Sequence, residues 1–249
     1  MRMMNNIQVF PFLLLCFLLV HLSVIVAVPD VPTSTSSYYV EGGVPMKKDH
    51  EFRWLARNLT QLRELVLDST DMSGVSPISL TNLSSTLTSL SLSDCSLQGT
   101  FPVNIFYLPN LRSLSLLWNV DLTGTLPQTN WTSPLVSLGV SMTNFQGSIP
   151  ASMGNLTSMN YLDLSVTLLT GPIPPTLGNL EHLTYLDLRA NNLTGTVDFK
   201  MFARLKISCI FLLDRTTSLC CCKAMAAIPF QGSKCWNRLV VIWPNSPIS

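Results

Sequence analysis

Apolar residues recur along the chain in a single frame. The pattern L-x-x-L-x-L occurs six times, at Leu62-Leu65-Leu67, Leu87-Leu90-Leu92, Leu111-Leu114-Leu116, Leu135-Leu138-Val140, Met159-Leu162-Leu164 and Leu183-Leu186-Leu188. The last L-x-L of each frame alternates with period two. That predicts a short strand with the leucines on one face and their neighbours on the other. A glycine follows each frame, at Gly74, Gly99, Gly124, Gly147, Gly171 and Gly195, with successive spacings of 25, 25, 23, 24 and 24. One unit of this length cannot bury its leucines alone. The period therefore predicts an α/β solenoid of about six coils, with a parallel concave sheet over a continuous apolar interior. At roughly 4.8 Å between strands, six strands span about 25 Å.

The second half of each unit reads L-x-G-x-Φ-P, as in Leu97 to Pro102, Phe145 to Pro150 and Leu169 to Pro174. Glycine there permits a positive φ or a close backbone approach at the corner, and proline suits the end of a short edge strand. Gly154-Asn155-Leu156 and Gly178-Asn179-Leu180 read as ends of short helical turns on the convex side. Position nine of the frame holds Thr70, Cys95, Asn119, Thr143, Thr167 and Asn191. Asn at that position satisfies backbone groups between coils, hydroxyls satisfy fewer of them, and Cys95 reads as a buried, inert residue.

The same alternation turns other residues outward on the concave face. They run from Glu64, Val66 and Asp68 through a serine-rich middle to Tyr161, Asp163, Tyr185, Asp187 and Arg189. Equal positions in adjacent coils lie one strand spacing apart, so Tyr161–Tyr185 and Asp163–Asp187 are expected to form ladders. The candidate ligand-binding residues are Leu117, Trp118, Tyr161, Asp163, Tyr185, Asp187 and Arg189, with aromatic anchors and a few charges facing a groove. L-D-L is common in such repeats, so Asp163 and Asp187 fit a plain solvated face as well.

The segments "NLTQLRELVLD", "SLTNLSSTLTSLSLSDCSLQGTFP" and "IFYLPNLRSLSLLWNVDLTG" carry a resemblance. From about Asn58 to Leu205 the chain resembles the plant-specific leucine-rich repeat of receptor-like kinases, receptor-like proteins and polygalacturonase-inhibiting proteins. It is most similar to plant receptor-like proteins of the disease-resistance type. The resemblance implies extracellular recognition of a peptide, glycan or protein ligand on the concave face, in defence or developmental signalling. In full-length relatives it also implies a plasma-membrane location and pairing with a co-receptor kinase. Inhibition of cell-wall-degrading enzymes and a non-functional gene fragment are the alternative readings.

The flanks depart from that pattern. Val9 to Val28 carries no Asp, Glu, Lys or Arg and follows Arg2, so residues 1–27 read as a secretory signal peptide. Residues 28–57 read as a linker lacking the family's paired-cysteine cap, in which Phe52, Trp54 and Leu55 are the residues able to cover part of the first repeat. Residues 58–205 are the repeats. Residues 206–249 read as a non-repeat tail, with aberrant coding as its expected origin and a truncated fragment as the implied product. No later stretch reaches membrane-spanning length, so no transmembrane helix is expected apart from the N-terminal signal segment. Five of the seven cysteines crowd into the tail, and Cys220-Cys221-Cys222 lacks C-x-x-C spacing.

Composition narrows the chemistry further. Net charge is +1 with 12% charged residues, which gives no reason to expect nucleic acid as a partner. The three histidines lie near no nucleophile motif, and no metal site, phosphate loop or kinase motif occurs; a non-enzyme without cofactors or metals is the expectation. Five N-x-[ST] sequons, at Asn58, Asn82, Asn130, Asn155 and Asn192, agree with passage through the secretory pathway to the cell exterior.

Overall fold

The computed structural model describes residues 36–39, 46–129, 131–197, 199–202, 205, 209–211 and 239–240, with backbone alone at 36–39, 199–200, 209–211 and 239–240. The predicted signal peptide, most of the tail and the Asn130 sequon lie outside the described residues.

Two parallel sheets form the solenoid. The concave sheet has nine strands: β1 (Ser36–Tyr39), β2 (Leu62–Val66), β3 (Ser89–Ser91), β5 (Ser113–Ser115), β7 (Ser137–Gly139), β9 (Tyr161–Asp163), β11 (Tyr185–Asp187), β13 (Cys209–Phe211) and β14 (Leu239–Val240). The second sheet has five strands: β4 (Gly99–Thr100), β6 (Leu122–Thr125), β8 (Asn144–Ser148), β10 (Leu168–Pro172) and β12 (Asn192–Thr194). The leucine frame sets the concave register, pairing Leu65, Leu90, Leu114, Leu138, Leu162 and Leu186 in one row. These side chains are wholly buried, and the core is one continuous cluster from Phe52 to Phe202. Fully burying one leucine contributes about 1.5–3 kcal/mol, so the row alone outweighs any surface interaction in the molecule.

The concave sheet is longer than the six strands expected. The backbone of β13 pairs with β11 at Tyr185↔Cys209, a step of 24 residues. Ile207-Ser208-Cys209-Ile210-Phe211-Leu212 is the same frame with isoleucine in place of leucine, so the tail begins with one more strand rather than leaving the repeat at 206. The second sheet was not expected either. It forms because the segments on either side of each corner glycine pair with a slightly shorter step of 21 to 23 residues, as at Leu169↔Gly147 and Gly171↔Leu193, each 22 apart.

The linker also builds structure. Helix α1 (Asp49–Asn58) lays Phe52, Leu55 and Ala56 on the first coil, while Trp54 is half exposed. Acidic residues in its first turn and Arg57 in its last suit the helix dipole. The Asp49 carboxylate accepts hydrogen bonds from the Ser76 N–H and the Ser79 hydroxyl, tying α1 to the turn that follows β2.

On the convex side, 3-10 turns at Ala151–Asn155 and Pro175–Asn179 match the expected helical ends. Their glycines serve packing rather than capping. A Cβ on Gly154 would lie 2.3 Å from the Thr176 carbonyl oxygen of the next coil, and one on Gly178 2.4 Å from that of Met201. Among its described residues the coil holding Trp131 shows no such turn; its indole packs edge-on to Phe106 at 5.2 Å, and Phe106 in turn meets Phe101 and Phe145.

Position nine behaves as its chemistry dictates. The Asn119 amide donates to the carbonyls of Leu92 (2.7 Å) and Leu116 (2.9 Å) and accepts from the N–H groups of Cys95 and Leu97. Asn191 repeats this with Leu164, Leu188 and Leu169. Thr143 reaches only Val140 and Phe145 of its own coil, and the buried Thr70 hydroxyl has no partner among the described residues. Burial pushes the Cys95 thiol up to about 12, and the thiol donates to the Leu67 carbonyl; it is buried, as expected.

Two substitutions test this ladder by chemical denaturation. Asn119→Ala strands two buried N–H groups and is expected to lose about 3 kcal/mol of stability. Thr143→Asn supplies the missing inter-coil bonds and is expected to gain about 1 kcal/mol.

Candidate functional site

Strands β9 and β11 carry the same tripeptide, Tyr-Leu-Asp, in register, so identical side chains stack across the sheet. The Tyr161 and Tyr185 rings lie 4.5 Å apart at 11°, a stacked pair. Each phenol donates to the carboxylate two residues on, Tyr161 to Asp163 and Tyr185 to Asp187, both at 3.4 Å. Tyr161 pairs with Ser137 on its other side and Tyr185 with Cys209, so the stacked rings stand between two smaller residues of the same row.

The acids do not form a solvated face. Asp163 is 8% exposed and Asp187 1% exposed. Burial is bearable because every carboxylate is answered. Asp163 accepts from the Ser165 N–H (3.0 Å) and hydroxyl (2.7 Å); Asp187 accepts from the Arg189 N–H and, twice over, from its guanidinium, at 2.7 Å from the terminal nitrogen. Burial raises the Asp163 carboxyl above its ordinary range against the pull of the Ser165 bonds. Burial and the two acids push the Tyr185 phenol up to about 12 and Tyr161 upward as well, and the bond to Asp187 raises Arg189.

Five of the seven predicted residues therefore form one cluster: Tyr161, Asp163, Tyr185, Asp187 and Arg189. Leu117 joins the concave floor two coils earlier. A Cβ on Gly139 would meet its side chain at 2.9 Å, so Leu117 leans into the space that the glycine leaves. Trp118 stands apart, on the lip between the two sheets in a left-handed conformation (φ 61°), and is 59% exposed. Ser165 and Gly139 were missed as supports; the Asp-x-Ser spacing and the smallest outward residue in its row were the available signals. Before the cluster the floor is low, formed by Ser89, Ser91, Ser113, Ser115 and Ser137. The sequons at Asn58, Asn82, Asn155 and Asn192 are all exposed.

A family model described as Leucine Rich Repeat matches residues 86–108 and 158–180. The chain is a leucine-rich-repeat solenoid. Its repeats are 37% identical over 131 residues to Receptor-like protein 6 of Arabidopsis thaliana, covering 53% of this chain and 13% of that one. They are 44% identical over 112 residues to Receptor-like protein Cf-9 of Solanum pimpinellifolium, covering 44% of this chain and 13% of the relative. This leucine-rich-repeat chain thus spans about an eighth of the length of such relatives. Among solved structures it is similar to the plant peptide hormone receptor RGFR1 in complex with RGF2, at 30% identity and a TM-score of 0.52 over 66% of this chain and 29% of that one. A TDR receptor structure matches at 28% identity and the same TM-score over 66% of this chain and 28% of that one.

Gly139→Ala is expected to push Leu117 off the floor with little effect on melting temperature, because the clash falls on the tip of a flexible side chain; a changed Leu117 methyl shift in NMR checks it. The raised phenols set an alkaline limit. Their contribution to stability is complete below about pH 10, the unfolded value, and fades as pH rises through about 12. Melting temperatures followed from pH 9 upward should fall more steeply for the wild type than for a Tyr161→Phe, Tyr185→Phe variant.

Proposed function

We propose that the chain is an extracellular, non-enzymatic recognition module that binds an extended peptide along the concave groove. The single observation that carries this reading is the step between the serine floor and the Tyr161–Tyr185 stack. A backbone can lie close over small hydroxyl side chains that offer hydrogen bonds, and an apolar or ring-shaped side chain can then pack on the open face of Tyr161. Leu117 borders the floor, and Arg189, held by Asp187, fixes a positive group at the far end of the cluster. Because Asp163 and Asp187 spend their oxygens on Ser165 and Arg189, they act as positioning groups that set the tyrosines and the arginine, not as ligand contacts.

The likeness to a peptide hormone receptor and to plant receptor-like proteins supports a peptide as the ligand class. We further infer entry into the secretory pathway through residues 1–27, N-glycans on the exposed sequons, and a role in defence or developmental signalling beside a co-receptor kinase.

A screen of immobilised secreted plant peptides against the secreted full-length chain tests the reading. A bound peptide is expected to lose at least about tenfold in affinity with Tyr161→Ala and with Tyr185→Ala, and to be unaffected by Tyr107→Ala on the convex side. Binding that survives loss of both groove tyrosines would sink it.

A further inference from the structure

The two Tyr-Leu-Asp units differ in what answers the acid. Arg189 sets a guanidinium nitrogen 2.7 Å from Asp187. Asp163 has no cation in contact with it among the described residues. It holds neutral donors instead, the Ser165 N–H and hydroxyl on Oδ1 and the Tyr161 phenol on Oδ2. Its flanks oppose a charge from both sides. On β11 its register partner is Asp187, one strand spacing of about 4.8 Å away. On β7 the partner is Gly139, over which the Leu117 side chain leans. The titratable or charged groups around Asp163 are Tyr161, Tyr185, Asp187 and Arg189, and the guanidinium is already paired with Asp187. Burial first, and then the charge on Asp187, accordingly lift the Asp163 carboxyl above its ordinary range.

The hydrogen bonds fix where a proton goes. Ser141 and Ser165 share a hydrogen bond of 2.8 Å, and Ser165 gives its own hydroxyl hydrogen to Asp163 Oδ1, so Ser141 is the donor in that pair. Oδ1 thus accepts from two fixed donors and remains an acceptor in either state. Oδ2 faces the Tyr161 phenol alone, at 3.4 Å. A proton taken from solvent therefore settles on Oδ2 and points at the phenol oxygen. The phenol hydrogen, directed to Oδ2 while the acid is ionised, turns about its C–O bond and becomes available to another acceptor. The same exchange is opposed at Asp187, because both of its oxygens accept from the Arg189 guanidinium.

We propose that Asp163 is a positioning residue that sets the hydrogen-bonding sense of Tyr161, and so decides which ligand group the open end of the tyrosine stack takes. This rests on the reading of the concave groove as a binding site. With Asp163 ionised, Tyr161 offers an oxygen lone pair and selects an N–H or O–H donor. With Asp163 neutral, Tyr161 offers its O–H and selects a carbonyl or carboxylate. The cluster has then lost one negative charge while Arg189 keeps its positive one. Acidification thus turns this position of the groove from donor-binding to acceptor-binding, and Tyr185 stays as it was.

Carbon-13 NMR of the secreted full-length chain, labelled at tyrosine Cζ and aspartate Cγ and titrated from about pH 7 to about pH 3, tests this without a ligand. The Asp163 Cγ resonance should titrate with a midpoint above the ordinary 3.8. Tyr161 Cζ should shift with that same midpoint, while Tyr185 Cζ holds still through it. Arg189→Ser gives the second unit the acid's partner that the first one has, so Tyr185 Cζ should then acquire a shift of its own. Asp163→Asn removes the titrating group, so Tyr161 Cζ should stop responding to pH across this range. Tyr161 and Tyr185 moving together in the wild type, a Tyr161 resonance that ignores the Asp163 titration, or an Arg189→Ser chain whose Tyr185 stays still overturns the proposal. Failure of every peptide to bind bears on the groove reading and not on these resonances, so the two can fail separately.

Discussion

Every coil of this protein must bury its leucines and satisfy its backbone against the next coil, because nothing else is within reach. That one constraint explains why Leu65, Leu90, Leu114, Leu138, Leu162 and Leu186 share a row and why the step stays near 24 residues. It also explains the close approaches. Gly154 and Gly178 let the convex turns touch backbone to backbone, and Asn119 and Asn191 carry hydrogen bonds from one coil to another where strand pairing stops. Identical side chains in adjacent coils are forced together by the same step, so the tyrosine stack is a by-product of the leucine register.

Much of the fold was legible in the residues. The L-x-x-L-x-L frame gave the coils, the concave parallel sheet and the buried positions, since alternation leaves leucines only one face to occupy. The Tyr161–Tyr185 ladder followed from equal spacing. What escaped notice escaped for physical reasons. The second sheet has no apolar alternation of its own and is held by backbone register around the corner glycines. The strand at Cys209–Phe211 keeps the frame with isoleucine, which a search for leucine passes over. Helix α1 draws its order from Phe52 and Leu55 meeting the first coil, a tertiary contact that no local propensity announces.

The site was half legible. Outward geometry correctly gathered Tyr161, Tyr185 and Arg189, but treating Asp163 and Asp187 as solvated overlooked the hydroxyl, amide and guanidinium groups that answer them two residues away. Trp118 was read as part of the groove because it follows a strand residue. A left-handed turn swings it onto the lip instead, and places it in line with Met142 and Val166.

The N-terminal cap has a consequence for the environment in which the protein can work. Residues 46–58, which cover the first coil, contain no cysteine and hold by apolar contact and the Asp49 hydrogen bonds. Closure of that end therefore needs no disulfide and is untouched by thiol–disulfide exchange, so swings in redox potential leave it shut.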